Sequence, residues 1–382
     1  MATYDVVVIG AGAYGLSCAW RLAQQGQSVL VLERDGIGTQ ASGFALGRID
    51  PLLGGVGVKY KLGSSVDASQ AGGDAMIELG LRGTRYLLDA IPEIESISGL
   101  DLQLDQQPTL QFIHSDAQME ELRAHSAAWT ELGYDSKFLD VDEIRQFEPR
   151  VSSPERGGVL INGPFFIDSL RYVQALAACA EEAGVTIRTG EVCGINPGSD
   201  DVDVETSSGA TYSVGRVLIA AGPWSATVAE LVGADIPISP SKGEILRLGV
   251  LESGPLEVHL HDPNSLVQKK DGQIWSAATA ADVGFDRAPT TESRDTLLAN
   301  AFEKLPETED SALLMHTVCF RPVSRDGVPI IGAIESTGNV WIASGGGGSG
   351  IKQSLAVAEP VAQALATGSS DFSLENFSPA RF

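Results

Sequence analysis

Apolar runs of strand length alternate with amphipathic stretches of helical period along this chain, a pattern that predicts an α/β protein. Asp5-Val6-Val7-Val8-Ile9 is β-branched and continuous, as in a strand buried on both faces of a parallel sheet. Residues 16–25, rich in Ala and Leu, read as a helix closed by Gly26, and 28–32 as a second strand ending in Glu33-Arg34. Further helices are expected over 116–132, 140–147, 169–184 and 294–305, and further strands over 185–188, 217–220 and 340–344. The alternation of Val202, Val204 and Thr206 ahead of Ser208-Gly209 predicts an antiparallel pair within 200–212, and 228–276 is strand-rich. No repeat or low-complexity linker interrupts these elements, so the domains are expected to interleave.

Composition narrows the class. At ~150 residues per domain, 382 residues suggest two or three. With 43% hydrophobic and 20% charged residues, wholesale disorder is excluded. Fifty acidic against 26 basic residues give a formal charge of −24, which repels phosphate backbones and anionic headgroups and reads as a solubility feature. Cys18, Cys179, Cys193 and Cys319 are scattered without a CxxC pair, and no apolar run is long enough to span a bilayer. The chain passes from Met1 straight into an apolar strand, so a cytoplasmic location is expected. His259 and His261 alternate on one strand, but no Cys or carboxylate cluster completes a metal site, and they read as two polar edge residues. No metal is expected.

The chemistry begins at Gly10-x-Gly12-x-x-Gly15, set between strand and helix. Its first glycine allows a tight turn and its second a close approach of pyrophosphate. The third allows close helix–strand packing, and the helix N-terminus then faces the anion. Glu33, about 20 residues on, is placed to accept from an adenosine ribose, with Arg34 beside it. NAD and FAD both use this unit. Ser42-Gly43 lies where a second loop would wrap a flavin dinucleotide, and Ala220-Ala221-Gly222-Pro223-Trp224 closes a later strand with small residues; together these favour FAD. Gly345-Gly346-Gly347-Gly348-Ser349-Gly350-Ile351-Lys352 follows the last strand and leaves backbone N–H groups open to an acceptor such as a flavin carbonyl.

Those motifs, with Arg321-Pro322-Val323-Ser324-Arg325-Asp326-Gly327-Val328-Pro329-Ile330-Ile331-Gly332, make the chain similar over its whole length to the D-amino-acid oxidase family of FAD enzymes. The resemblance implies a Rossmann-like, glutathione-reductase-like FAD domain, interleaved with an α+β substrate domain on a mixed antiparallel sheet. The FAD domain is drawn as 1–75, 151–226 and 316–382, and the substrate domain as 76–150 and 227–315. It implies oxidation of the C–N bond of a small amino acid or N-substituted amino acid, with hydride passing to flavin N5 and the imine then hydrolysed. Alternatives are a 2-hydroxy-acid oxidase or dehydrogenase, and a dinucleotide-binding module without flavin chemistry. FAD would be held by Gly10, Gly12, Gly15, Glu33, Arg34, Ser42, Gly43, Val192, Gly222 and the run Gly346, Gly347, Gly348, Ser349, Gly350 and Ile351.

Arg321 falls where glycine-oxidase-like members grip a substrate carboxylate; a structural ion pair under the Asp326-Gly327 turn is the other reading. Lys352 falls where sarcosine-oxidase-like members carry a lysine near substrate, or snorkels at the surface, and Arg48 falls near the flavin face. Cys319 occupies the position through which sarcosine-oxidase-like members bond the flavin, whereas glycine-oxidase-like members hold FAD noncovalently, the form expected here. Trp275 aligns with the lysine those oxidases use toward O2, with Lys269 and Lys270 too early, so a quinone or another acceptor stands beside O2. Lys59, Tyr60 and Gln268 are unranked candidates for the substrate pocket. Oligomeric state is not legible.

Overall fold

The computed structural model describes residues 4–49, 60–61, 65–66, 73–131, 134–152, 154–163 and 165–382; Lys59 and the side chain of Tyr60 lie outside that description. Two eight-stranded sheets organise it.

The first sheet has a parallel centre in the order Thr186–Thr189, Val29–Glu33, Tyr4–Ile9, Thr211–Ile219, Val340–Ser344. Val6, Val7, Val8 and Ile9 sit between Val29–Leu32 on one side and Arg216–Ile219 on the other, buried on both faces as their unbroken apolar run requires. Val202–Thr206 pairs antiparallel with Thr211–Ile219 across Ser208-Gly209, as expected, Val192–Pro197 adds a further antiparallel strand beside it, and Ile330–Ala333 closes the far side. Helices Ala13–Gln24, Gly73–Ser98, Ser169–Glu182 and Gly350–Thr367 pack together over one face, with Trp20, Tyr172 and Phe377 fully buried among them.

Helix boundaries follow local chemistry. Asp140 and Glu143 form a capping box at the start of Val141–Phe147, and Asp168 caps Ser169–Glu182 through the Arg171 N–H. The first helix starts at Ala13, inside the glycine motif, three residues earlier than its Leu-rich body suggests. Helices Gly73–Ser98 and Gly350–Thr367 have no counterpart in the sequence reading. Each contains a proline, Pro92 or Pro360, which lowers helix propensity, and burial of residues such as Leu79, Leu87, Ile94, Leu355 and Val361 overrides it. The two helices touch at Gly83, where a Cβ would stand 2.3 Å from the Lys352 carbonyl oxygen.

The second sheet runs in the order Leu313–Ser324, Ile238–Val250, Gln273–Ala277, Ser265–Gln268, His259–His261, Thr109–Phe112, Gly158–Asn162, Asp135–Leu139. All its pairs are antiparallel except His259–His261 with Thr109–Phe112. Segments 151–226 and 316–382 therefore contribute strands to the second sheet as well as to the first, while 76–150 contributes most of helix Gly73–Ser98 to the first sheet's core. The strand His259–His261 is interior, with neighbours on both sides, so its histidines are not edge residues. His259 is fully buried, 3.3 Å from Asp105 and edge-on to Phe166. Among the described residues no His, Cys, Asp and Glu cluster could hold a metal.

Candidate active site

Five parallel strands of the first sheet end on the same side, and the loops that follow them open into one cavity of about 750 Å³. That is where open α/β sheets bind dinucleotides, outside the carboxyl ends of the strands. Gly10, Gly12, Glu33, Arg34, Ser42, Val192, Gly222, Gly346, Gly347, Gly348, Ser349, Gly350 and Ile351 line it, together with Arg48, Arg321 and Lys352. Gly15 and Gly43 do not, and geometry explains them otherwise. A Cβ on Gly15 would meet the Gly10 carbonyl oxygen at 2.0 Å, and one on Gly43 would meet that of Gly38 at 1.9 Å. Both are packing glycines that let turn and helix close.

The cavity walls suit an anionic dinucleotide. Gly10 sits at φ +110, with a hypothetical Cβ 2.5 Å from the Ala220 carbonyl oxygen, so only glycine turns the chain here. The helix starting at Ala13 has no side-chain cap, and neither has the helix starting at Gly350. Two helix N-termini, with their unsatisfied N–H groups and positive dipole ends, thus face one cavity. Gly348 and Gly350 have open space where a Cβ would stand, so no crowding by the protein itself demands glycine there. The Glu33 carboxylate accepts from the backbone N–H groups of Ala11 at 2.8 Å and Asp35 at 2.8 Å, which anchors it at the rim of the glycine turn with acceptor capacity to spare. Ser42 Oγ accepts from Ala13 N–H at 3.1 Å. Arg34 lies 4.8 Å from the Trp224 ring centroid and pairs with Asp35 and Glu191. When bound, FAD supplies the two-electron acceptor that no side chain can provide.

Arg321 projects from Leu313–Ser324 into the same cavity. Its Nη1 donates to the Thr279 carbonyl oxygen at 3.0 Å, and the guanidinium packs against Gly243, where a Cβ would stand 2.6 Å from Nη2. Burial lowers its pKa, opposed only by the Cys319 thiol; no carboxylate among the described residues compensates this charge. Asp326, the structural alternative, is taken by Arg381. Nε and Nη2 of that residue reach its two oxygens at 2.8 and 3.2 Å, and Nη2 also donates to the Val328 carbonyl oxygen. The C-terminus thereby satisfies the turn and leaves Arg321 to the cavity.

Cys319 also lines the cavity, but burial raises its pKa and keeps the thiol a poor nucleophile, in line with noncovalent FAD. Lys352 is 8% exposed in the first turn of helix Gly350–Thr367, so it does not snorkel at the surface. Trp275 lies one layer behind the cavity, packed with Ile245, Ala277 and Leu46. The Arg247 guanidinium is 4.0 Å and the Lys269 ammonium 4.9 Å from its ring centroid. Lys269 donates to the carbonyl oxygens of Leu46 at 2.6 Å and Ile167 at 3.0 Å, fastening the strap that ends in Arg48; burial pulls its pKa down to about 8. Gln268 faces elsewhere, accepting from the Leu256 N–H. His316 is 2.7 Å from Glu244, outside the cavity lining.

Sequence reasoning missed Tyr14, whose hydroxyl donates to Gln353 at 2.9 Å and abuts Gly346, and the cavity residues Gln111, His261 and Ser265. The His-x-His alternation was the signal for His261. Nothing local marks Gln111, whose place in the cavity is created by sheet order.

Comparison with known proteins agrees with this geometry. Residues 5–364 match the DAO family, described as FAD dependent oxidoreductase. A glycine oxidase of Pseudomonas aeruginosa is 28% identical over 347 residues, covering 89% of this chain and 88% of that protein. A glycine oxidase of Geobacillus kaustophilus is 26% identical over 99% of this chain and 97% of its own. The crystal structure of glycine oxidase from Geobacillus kaustophilus superposes with a TM-score of 0.88 at 23% identity over the full length of both chains. A family match that spans nearly the whole chain, over a cavity built for a dinucleotide, establishes that this protein belongs to the DAO family of FAD-dependent oxidoreductases.

Proposed function

We propose that the protein oxidises the C–N bond of a small amino acid or N-substituted amino acid. The observation that carries this reading is the half-buried Arg321 guanidinium, turned into the flavin-sized cavity without a carboxylate of its own. A buried cation without a counter-charge is costly, and a substrate carboxylate offers a planar, bidentate partner that relieves the cost. Clamped there, the substrate is held in orientation, and the cationic surroundings favour the neutral amine that loses hydride. Arg48 and Lys352 border the same space and add positive potential. The glycine oxidases above support this substrate class. FAD is held by the two glycine turns, Glu33, Arg34, Ser42, Val192 and Gly222. The chain divides by sheet membership, with strands 158–162 and 313–324 in the substrate domain. Its electron acceptor is O2, a quinone or another acceptor, and its four free cysteines suit the cytoplasm.

The 2-hydroxy-acid reading needs a base at the carboxylate clamp; His316 does not line the cavity, and His261, which does, stands four strands from the one that carries Arg321. The test is anaerobic mixing of purified protein with D-, L- and N-methyl amino acids and with 2-hydroxy acids, followed at the flavin absorption band. Bleaching by an amine carboxylate supports the proposal; bleaching by hydroxy acids alone overturns it.

A further inference from the structure

Residues 280–289 cross the surface exposed, between the end of strand Gln273–Ala277 and helix Thr291–Lys304. Both ends of this strap are held by the same short stretch of strand Ile238–Val250. At its start, Lys242 and Ala281 exchange backbone hydrogen bonds of 2.9 Å each, and the Glu244 N–H donates to Thr279 Oγ1 at 3.1 Å. At its end, the Lys242 ammonium donates to the Ala288 carbonyl oxygen at 2.5 Å. The Thr290 hydroxyl and N–H donate to the two Glu244 carboxylate oxygens at 2.9 and 3.0 Å.

Side chains alternate across a strand, and Ser241 and Ile245 line the cavity, so Lys242 and Glu244 face the other side of the sheet. There they form a buried ion pair, 3.6 Å apart, with Asp286 at 3.8 Å from the ammonium and His316 at 2.7 Å from the carboxylate. Buried pairs seldom repay their desolvation, and well-packed apolar residues often serve stability as well. What this pair holds is shown by its contacts. Apart from His316, its polar partners come from the far end of the strap and the first turn of the helix after it.

The strap in turn touches the site at three places. The Thr279 carbonyl oxygen accepts from Arg321 Nη1 at 3.0 Å. Phe285 stacks on the cavity residue Trp224, with ring centroids 5.0 Å apart at 17°, and meets Phe320, the neighbour of Arg321, edge-on at 5.4 Å. Arg287 reaches Asp35, the partner of Arg34, at 4.0 Å.

Resting on the carboxylate-clamp reading above, we propose that Lys242 and Glu244 are positioning residues: from the reverse face of the sheet they fix the strap, and the strap fixes the Arg321 guanidinium through the Thr279 carbonyl. A bidentate grip on a carboxylate tolerates little misplacement, and a long side chain left loose would pay rotamer entropy each time substrate binds. The pair therefore acts on substrate orientation, at a distance from the flavin and the substrate.

The test is a double-mutant cycle. Glu244→Gln, Lys242→Met and the charge-free double variant are made in wild type and in Arg321→Met, and kcat/KM is measured for anaerobic flavin reduction by the best amino-acid substrate. In the wild-type background each single variant lowers kcat/KM by at least about fivefold, carried mainly in KM, and in the Arg321→Met background by less than about twofold. Hydrogen exchange of the peptide spanning 279–290 quickens in the same variants, with the flavin content of the holoprotein retained. Equal losses in both backgrounds, or unchanged rates beside a lowered melting temperature, show a role in the fold alone and overturn the assignment. Misfolding of all three variants overturns it likewise. If Arg321→Met itself leaves the rate unchanged, the clamp reading fails and this assignment with it, whereas a large Arg321→Met loss beside unaffected pair variants removes only this assignment.

Discussion

Replacing Arg321 with Met separates the chemistry of the site from the stability of the fold. Arg321 makes one hydrogen bond to protein, from Nη1 to the Thr279 carbonyl oxygen, and its remaining guanidinium donors face the cavity. Two charge-assisted bonds to a substrate carboxylate are worth about 3–5 kcal/mol together. Their loss corresponds to a fall of roughly 150- to 5,000-fold in kcat/KM. The fold gains relief from a partly buried cation and loses one bond to Thr279, so the melting temperature is expected to hold or rise. Stopped-flow flavin reduction with the best substrate, beside thermal melting of the holoprotein, reads both quantities. A neutral carboxamide analogue should lose little on the substitution, because it never had the charge to offer. Retained kcat/KM, or equal losses for carboxylate and carboxamide, would refute the assignment of Arg321 as the clamp.

Other expectations follow from the same coordinates. Asp326→Asn breaks the bidentate pair with Arg381 and should lower the melting temperature by about 2–4 °C while sparing the Arg321 contacts. Burial pushes the Asp326 pKa up, but the Arg381 guanidinium outweighs it and the net shift is downward. The pair therefore adds stability above the ordinary carboxylate range and loses it as pH falls through the depressed value, so the wild type–Asp326→Asn difference in melting temperature should shrink on acidification. Lys269 has the opposite dependence. Burial lowers its pKa from 10.5 to about 8, the unfolded chain holds the extra proton between those values, and stability rises with pH across that window by up to roughly 3 kcal/mol. Wild type should accordingly gain on Lys269→Met between pH 7 and 10 in parallel melts. Gly15→Ala puts a methyl 2.0 Å from the Gly10 carbonyl oxygen and should purify with little bound flavin, judged by the ratio of flavin to protein absorbance. Acid precipitation of the wild type should release all its yellow colour, whereas a pellet that stays coloured would point to a bond at Cys319.

The parts of this molecule readable in sequence are those where one physical requirement acts within a few residues. Val6 to Ile9 must be buried on both sides, Gly10 must turn at positive φ, and Asp140 must cap a helix; each leaves a local mark. Helix Gly73–Ser98 leaves none, because Pro92, Gly80 and Gly83 argue against it and its packing on Gly350–Thr367 and Ser169–Glu182 decides otherwise. The site divides the same way. Spacing exposed the glycine turns and Glu33, and a family resemblance exposed Arg321. Whether Arg321 pairs with Asp326 depended on Arg381, 55 residues from Asp326 in sequence, which folds back to claim that carboxylate. Domain boundaries drawn from linear segments failed to anticipate that Gly158–Asn162 completes a sheet whose other strands come from both sides of it in sequence. Trp275 shares a sheet face with the cavity residue Ala277 but is not itself part of the lining; it packs against Ile245 and Leu46, with the Arg247 and Lys269 cations beside its ring.

The central claim is that Arg321 holds an organic carboxylate against the flavin in the cavity between the two glycine turns. A crystal structure of the oxidised holoprotein with a small carboxylate inhibitor tests it most directly. The account predicts both inhibitor oxygens within hydrogen-bond distance of the Arg321 guanidinium, and the flavin ring beside Gly346 to Gly350. An inhibitor bound elsewhere, or Arg321 turned away from it into water, would contradict the account.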